Sequence, residues 1–571
     1  MNAMKYDDLY RQWLAFDGLD PETRAELTAM NEAEIRESFY APLAFGTAGL
    51  RGIMGAGVNR MNRYTVGQTT QGLADVLNRT EGAAEKGVAI SYDCRMHSES
   101  FAQEAAAILA ANGIRVFLFE SMRPTPELSF AVRSLKCAAG INITASHNPK
   151  EYNGYKVYWS DGAQIGDEIA AQVSEARQQC DIFTGVKTTD YQTAVADGHI
   201  QMLGHETDEA FLNAALSCRL NPEATENSDI SIVYTPFHGT GYRLVPEVFR
   251  RIGLKNVHCV AEQMQPDGAF STVKSPNPEE IEGFRLAIAL ARETESDLII
   301  GTDPDADRVG LIVRRHDGEY VPLTGNQVGI LLADYIIRTR RATGMLPEKC
   351  MIVSTIVTSL MARRVCEANH VFYGESFTGF RFIAGRRAQL EAEGYTYLLG
   401  FEESYGYMVG SHCRDKDAVT ASMLIAEMAA DYAKQGLTLY GAMERLYETY
   451  GAYAERTMNL KFSGVDGLEA MQRLMSRLRS ESLPEIGGTK VCAVRDYQSG
   501  IRKTADGQTE PMKLTGSNVL YFELTDGCVL IIRPSGTEPK IKIYILTKAA
   551  TRTAAVGLVE RYAAAAEALA E

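Results

Sequence analysis

Asp297 to Val313 reads DLIIGTDPDADRVGLIV. An apolar lead without polar alternation, Leu298-Ile299-Ile300, runs into a polar loop that carries Asp303, Asp305 and Asp307 at alternate positions. A short apolar run of this kind reads as a strand covered on both faces. The same pattern recurs on either side. VAISYD (88–93), RVFLFE (115–120), AAGINITA (138–145), ISIVYT (230–235) and NVHCVA (256–261) precede it as predicted strands. CMIVST (350–355), HVFYGE (370–375) and YTYLLG (395–400) follow it. Segments with helical spacing, such as Ser100 to Asn112, separate them. Strands that alternate with helices predict α/β segments with mostly parallel sheets. There are three such segments, and each ends a strand in a polar loop: TASHNP, GTDPDADR and GFEESYG. In open α/β sheets the carboxyl ends of the strands are where ligands bind.

The two ends of the chain differ from this middle. Residues 4–40 show helical spacing, with Asp20-Pro21-Glu22 as a helix start. The glycine-rich FGTAGLRGIMGAG follows. From about 455 an early helix leads to NVLYFEL, CVLIIRP, KIKIYIL and a closing Ala-rich helix, a small α+β module in which RPSGTEP turns between two strands. The expected fold class is α/β, divided as 1–205 with the helical extension and serine loop, 206–325 with the aspartate loop, 326–455 with the GFEESYG loop, and 456–571 as the α+β module.

The chain has 571 residues and a net charge of -15, from 58 basic and 73 acidic residues. That balance argues against a nucleic-acid partner, which needs a basic stripe, and leaves room for a local cationic site for a small anion. The ten cysteines form no Cys-x-x-Cys pair and read as reduced thiols. The N-terminus has no apolar signal core, and no run approaches the roughly 20 apolar residues of a membrane span. The expectation is a soluble cytoplasmic protein without a membrane partner.

Three carboxylates as close as Asp303, Asp305 and Asp307 repel unless a cation sits among them. Oxygen-only ligands favour Mg²⁺ or Ca²⁺. An EF-hand would need glycine and glutamate where Arg308 and Arg314 stand. Three protein oxygens leave a position for a phosphate oxygen or water, which suits Mg²⁺; the alternative is a solvated acidic turn. In INITASHNPKEYNGYKVY (141–158), Ser146 lacks the Gly-x-Ser-x-Gly context of a hydrolase nucleophile. Because adjacent side chains diverge, no relay with His147 is expected, and serine and asparagine also simply favour turns. Arg533-Pro534-Ser535-Gly536-Thr537 offers a guanidinium fork, two hydroxyls and a glycine that lets backbone N–H groups approach an anion. Its alternative is a polar hairpin turn. Taken together, a hydroxyl, a metal cage and a separate anion clamp suit phosphoryl transfer, with the serine as covalent carrier.

TASHNP, GTDPDADR, GFEESYG and RPSGTEP, in that order and spacing, resemble the α-D-phosphohexomutases over nearly the whole chain. EESYG, FGTAGLRG and GAGVNRMN resemble the phosphoglucomutase branch, near its longer bacterial and phosphopentomutase-like members. The resemblance implies four domains around one cleft, one Mg²⁺ and a glucose 1,6-bisphosphate activator. It implies Ser146 as the phosphoserine and Mg²⁺ held by Asp303, Asp305, Asp307 and the Ser146 phosphate. Arg308 would lie against the phosphoryl group, and Lys156 and His147 would serve proton transfer or charge stabilisation. Arg51, Asp93 and Arg95 would frame the serine. Glu402 and Ser404 would hold sugar hydroxyls, and Arg533, Ser535, Gly536 and Thr537 the phosphate not being transferred. The implied reaction converts glucose 1-phosphate to glucose 6-phosphate, through a bisphosphate that turns end for end between two half-reactions.

Arg381 stands where the family commonly has lysine, which removes an acid at that position but keeps a charge. The rival activities are those of a phosphopentomutase, a phosphomannomutase, a glucose 1,6-bisphosphate synthase, a phosphoserine-type phosphatase and a silent sugar-phosphate sensor. His238 reads as a loop-structuring residue, Lys274 to Glu280 as a connecting loop, and MLIAEMAA (423–430) as helix core. Arg414 and Lys416 belong either to a solvated turn or beside the phosphate. The expected state is a monomer or weak homodimer.

Overall fold

The computed structural model describes residues 6–47, 49–462, 467–481, 483–535 and 540–569. Two compact units emerge, one of Met1–Gly325 with Ser404–Thr438, the other of Asn326–Glu403 with Leu439–Glu571.

The first unit holds two mixed sheets. One has six strands in the spatial order Leu50–Ile53, Tyr152–Trp159, Ala139–Ile143, Val88–Tyr92, Val116–Phe119, Ile200–Leu203. The last four run parallel, three of them the buried, non-alternating runs expected and the fourth, Ile200–Leu203, unexpected with its middle exposed; the first two strands join by antiparallel pairing. The second sheet orders Tyr320–Leu323, Val309–Arg314, Leu298–Thr302, Ser231–Thr235, Asn256–Cys259. Here the last three strands pair in parallel and the first two join by antiparallel pairings. The serine and aspartate loops therefore each join neighbouring antiparallel strands. Register pairs Asn142 with Lys156 across the first loop and Thr302 with Val309 across the second.

The N-terminal stretch forms three helices, Tyr6–Ala15, Pro21–Ala29 and Glu32–Phe39. Asp20 caps the second by accepting from the Thr23 amide, with proline just inside, and Asn31 and Glu34 make a capping box on the third. Trp13, Leu27 and Phe39 bury the inner faces of all three. Helix Ala418–Lys434 starts on Asp417, which accepts from the amides of Val419 and Thr420. It is buried over most of its surface, including all of MLIAEMAA.

In the second unit, Phe372–Ser376, Cys350–Thr355 and Thr396–Glu402 pair in parallel. An antiparallel sheet follows in the order Ala452–Lys461, Lys540–Ala549, Val529–Pro534, Leu520–Leu524, Thr489–Asp496, Ile501–Thr504, Thr509–Pro511. Helices Gly467–Ser480 and Arg552–Ala568 contribute to its core. The three apolar strands expected here are present; the others are more polar and have one face in solvent. All ten cysteines are free thiols. Among the described residues, no helix is long and apolar enough to cross a membrane.

Candidate active site

The serine loop is built by Arg95 and Asp93. The Asp93 carboxylate, at the end of its strand, accepts from the Arg95 amide at 2.9 Å, Ser98 Oγ at 2.8 Å and Thr144 Oγ1 at 2.6 Å. The Arg95 guanidinium sits 3.3 Å from that carboxylate and donates to the carbonyls of Ser146 (2.6 Å), Pro149 (2.8 Å), Tyr152 (3.0 Å) and Asn148. Four carbonyls turned toward one buried cation fold the loop back on itself. Within it, Ser146 takes a left-handed backbone, φ 52°, and its amide donates to Thr144 Oγ1 at 2.8 Å. A non-glycine residue in that region carries strain, which the surrounding bonds outweigh.

That backbone overturns one expectation. The Ser146 and His147 side chains converge instead of diverging, with Oγ 3.2 Å from His147 Nδ1. Divergence holds for extended backbone; the positive φ at Ser146 turns its Oγ back toward the following ring. The imidazole is held well below its ordinary pKa by burial, then by the positive charges of Arg308 and Arg51. It is neutral at pH 7.

The aspartate loop meets the serine directly. Ser146 Oγ donates to Asp303 Oδ2 at 2.9 Å, while Asp303 Oδ1 accepts from the amides of Asp307 and Arg308, each at 3.0 Å. Ala306, φ 49°, supplies the tight bend, and Pro304 lies so near Gly239 that a Cβ there would stand 2.4 Å from its Cα. Only glycine fits that approach. His238 braces the same turn, with ring nitrogens 2.8 Å from Gln265 O and from Thr272 Oγ1, the structural role read from the sequence.

The three aspartates offer oxygens within 4.8 Å of one another, and all three are buried. Asp305 Oδ2 accepts from Lys156 Nζ at 2.8 Å and Thr125 Oγ1 at 2.9 Å. Asp307 Oδ2 lies 3.0 Å from Lys416 Nζ and 4.0 Å from Lys156 Nζ. The other oxygens, Asp305 Oδ1 and Asp307 Oδ1, are buried without a hydrogen-bond partner among the described residues. Burial and the neighbouring Asp305 and Asp307 charges push Asp303 well above the usual carboxylate range. At Asp305 burial acts the same way but is outweighed by Lys156, so its pKa is lowered. Asp307 Oδ1 lies 3.8 Å from Arg308 Nε, and two carboxylate oxygens without a hydrogen bond, beside a third carboxylate and a hydroxyl, form an oxygen-only donor set that a hard divalent cation such as Mg²⁺ fits.

The remaining cations ring this cage. Arg308 Nη1 pairs with Glu279 Oε1 at 3.0 Å, which places the KSPNPEE loop against the site. Exposed Arg51 donates from Nη1 to Asn148 Oδ1 at 3.2 Å. Lys416 is buried rather than on a solvated turn. It bridges Asp307 and Asp415, 3.1 Å from the latter, and Asp415 accepts from Tyr158 Oη at 2.8 Å. Sequence reasoning left Lys416 open and missed Thr125. The signals for them are a basic residue one position before a helix cap and a Pro-Thr-Pro helix start after a strand.

The sugar and clamp residues belong mostly to the second unit. Glu402 ends strand Thr396–Glu402. Glu403 accepts from Thr355 Oγ1 at 3.2 Å, and its pKa is pushed up to about 7 by burial and by the Glu402 charge. The buried Tyr544 phenol is pushed up by burial, then by the Glu403 charge. Phe401 packs its ring where a Cβ on Gly329 would stand, 2.1 Å away, which explains the phenylalanine in that loop as core. Arg381 is the second residue of helix Phe380–Ala392, with its guanidinium 4.2 Å from the Phe382 ring centroid. The Ser535 amide donates to Lys540 O at 2.8 Å, closing the hairpin. Gly536 and Thr537 lie outside the described residues. Ser404 falls in the segment that packs with the first unit.

Three family models match the chain: phosphoglucomutase/phosphomannomutase alpha/beta/alpha domain I over residues 42–181, domain II over 209–318 and domain III over 324–450. The chain is 37% identical to a phosphoglucomutase of Staphylococcus epidermidis, covering 90% of this chain and 92% of the relative. It is 38% identical to one of Staphylococcus aureus, covering 91% and 92%. In fold it is similar to the phosphoglucomutase pp63/parafusin of Paramecium, with TM-score 0.68, 18% identity and coverage of 92% and 95%. It is also similar to a phosphoglucomutase/phosphomannomutase family protein of Burkholderia thailandensis, with TM-score 0.67, 17% identity and coverage of 92% and 97%.

Proposed function

The chain belongs to the phosphoglucomutase/phosphomannomutase family, and we propose that it is a phosphoglucomutase that carries the phosphoryl group on Ser146. The observation that carries the reading is the Ser146 hydroxyl, bonded at 2.9 Å to one of three buried aspartates, two of which keep an oxygen that accepts no hydrogen bond among the described residues.

In this reading phosphorylated Ser146 gives its phosphoryl group to the free 6-hydroxyl of glucose 1-phosphate. The hydroxyl proton is taken up as the new P–O bond forms, and the Oγ–P bond breaks. The bisphosphate then turns over, and its 1-phosphoryl group returns to Ser146, releasing glucose 6-phosphate. Asp303, Asp305 and Asp307 would hold Mg²⁺, which supplies charge neutralisation for the phosphoryl oxygens. Lys156, Lys416 and Arg308 add fixed positive charge around the transferred group. Neutral His147, 3.2 Å from Oγ, can hold a proton at Nδ1. Arg95 and Asp93 fix the loop, and Arg51 guards its outer side. Glu402 and Ser404 would bind sugar hydroxyls. Arg533 with Ser535, Gly536 and Thr537 would bind the resting phosphate, with Arg381 as a further charge. Glucose 1,6-bisphosphate would prime Ser146, and the setting would be the cytoplasm.

The test is a Ser146→Ala variant assayed with glucose 1-phosphate, Mg²⁺ and a trace of the bisphosphate, beside intact-mass analysis of both proteins. The wild type acquires one phosphoryl group, and the variant acquires none and loses turnover. Retained turnover in Ser146→Ala removes the proposal. Parallel rates on mannose, ribose and deoxyribose 1-phosphates fix the sugar.

A further inference from the structure

Away from the phosphoryl-transfer site, the first unit contains a half-open cavity of about 740 Å³. It lies among helix Tyr6–Ala15, the chain at 42–45 and the end of helix Asp167–Gln179. Small-molecule sites fall in the range of roughly 300–1,000 Å³. None of its lining residues belongs to the serine or aspartate loops. Leu9, Leu43, Phe45, Val58 and Ile182 give it apolar walls.

One cation faces this space. Arg177 is buried, 6% exposed, with Nη1 donating to Leu43 O at 2.6 Å and Nε to Gln68 Oε1 at 3.3 Å. Four arginines are buried among the described residues. Arg95 pairs with Asp93, Arg123 with Asp208 and Arg387 with Glu391. Arg177 has no carboxylate within ion-pairing distance among the described residues, and no hydrogen bond there engages its Nη2. Its pKa is pushed down to about 10 by burial alone, so it stays charged at neutral pH. An uncompensated buried cation is costly, and buried charges are ordinarily paired. Asp181, the one acid on the rim, forms no ion pair with Arg177; its Oδ1 accepts from the amides of Phe183 and Thr184 and from Thr184 Oγ1.

We propose that this cavity binds a small organic anion, a carboxylate or phosphate carried on an apolar body, with its head group on the Arg177 guanidinium. The walls take the body and the missing counter-charge is the head. The position also explains what the N-terminal helices, which precede the family's matched region, contribute: Leu9 of the first helix closes one side.

The test is isothermal titration of the full-length protein with octanoate, hexyl phosphate and the neutral analogue 1-octanol. At least one of the two anions binds saturably at one site per chain, and 1-octanol binds at least tenfold more weakly, because a charge-assisted hydrogen bond is lost. Which anion binds separates a carboxylate ligand from a phosphate one. Arg177→Gln weakens binding at least tenfold. Ser174→Trp, which fills the cavity while leaving Arg177 in place, does the same and covers the case in which Arg177→Gln fails to fold. The proposal is overturned if neither anion binds, if 1-octanol binds as well as the anions, or if Ser174→Trp binds like the wild type.

Discussion

Replacing Arg95 by glutamine separates the serine loop's architecture from its chemistry, because the Arg95 guanidinium binds backbone carbonyls and Asp93 and lies 5.0 Å from the Phe270 ring centroid, none of them a reacting group. Its guanidinium supplies donors to four carbonyls, and a bond to a charged donor contributes about 1.5–3 kcal/mol. The gross loss is therefore on the order of 6–12 kcal/mol. Part of that returns. Ser146 no longer has to hold φ 52°, which relieves about 1–3 kcal/mol of strain, and water can reach the vacated carbonyls. Asp93 is left buried without its counter-ion, so its already raised pKa rises further. The net destabilisation expected is that of a broken buried pair, about 3–5 kcal/mol, concentrated in residues 144–152. Once the loop relaxes, Oγ leaves its 2.9 Å contact with Asp303. A displacement of about 1 Å costs on the order of 100-fold in rate, or ~2.7 kcal/mol. Two measurements check this. Turnover of glucose 1-phosphate falls at least 100-fold, and hydrogen exchange speeds up at the amides of Ser146, Asn148 and Tyr152, each bonded inside the loop. Arg95→Lys recovers less than tenfold of the loss, since a point charge cannot fork across four carbonyls. If Arg95→Gln kept turnover within threefold of wild type and the same exchange pattern, the carbonyl clamp would not be what positions the serine.

Asp305→Asn removes one metal-facing charge while keeping the side chain's shape. Mg²⁺ affinity measured by titration falls at least tenfold and turnover at least 100-fold, and an unchanged affinity would place the cation elsewhere. Glu403 gives a pH prediction with a definite sign. Its folded pKa of about 7 lies above the ordinary 4.5, so the folded state binds its proton more tightly than the unfolded chain. Stability is therefore lost as pH rises from about 4.5 to about 7, by up to ~3 kcal/mol in total. Glu403→Gln removes that slope. Denaturation at pH 5 and pH 8 leaves the variant closer to wild type at pH 5 and more stable than it at pH 8; equal differences at both values would refute the shift.

The strands at 88–92, 116–119, 139–143, 231–235 and 298–302 were legible because each is an apolar run buried on both faces. Tyr152–Trp159 was not legible as a strand. NGYKVY carries a lysine and an asparagine that a core strand would exclude, yet both are buried because they serve the site: Lys156 meets Asp305, and Asn153 donates to Ser98 Oγ. Polar residues that break the hydrophobic pattern at a strand end are where function overrides the fold signal. Thr489–Asp496 was hidden for the opposite reason, since its alternating pattern marks one solvated face and no motif drew attention to it.

For the candidate site, residue types that follow from charge were legible and those that follow from backbone handedness were not. The spacing of three aspartates after a buried strand was enough to expect a cation cage, because electrostatic repulsion depends on composition and proximity alone. The Ser146–His147 contact needed a left-handed serine, and nothing in a serine's chemistry asks for that conformation. It exists because Arg95, 51 residues earlier, turns four carbonyls inward, and Thr144 takes the serine amide. The same reasoning places Lys416. From its neighbours alone it was either a surface charge or a site charge. What decides is Asp417, whose capping of a buried helix fixes the backbone one residue away, where Lys416 is buried between Asp307 and Asp415. In both cases the missing information was a constraint imposed by a structural residue on its chemically active neighbour. Structural variants such as Arg95→Gln therefore test the active site as sharply as substitutions within it.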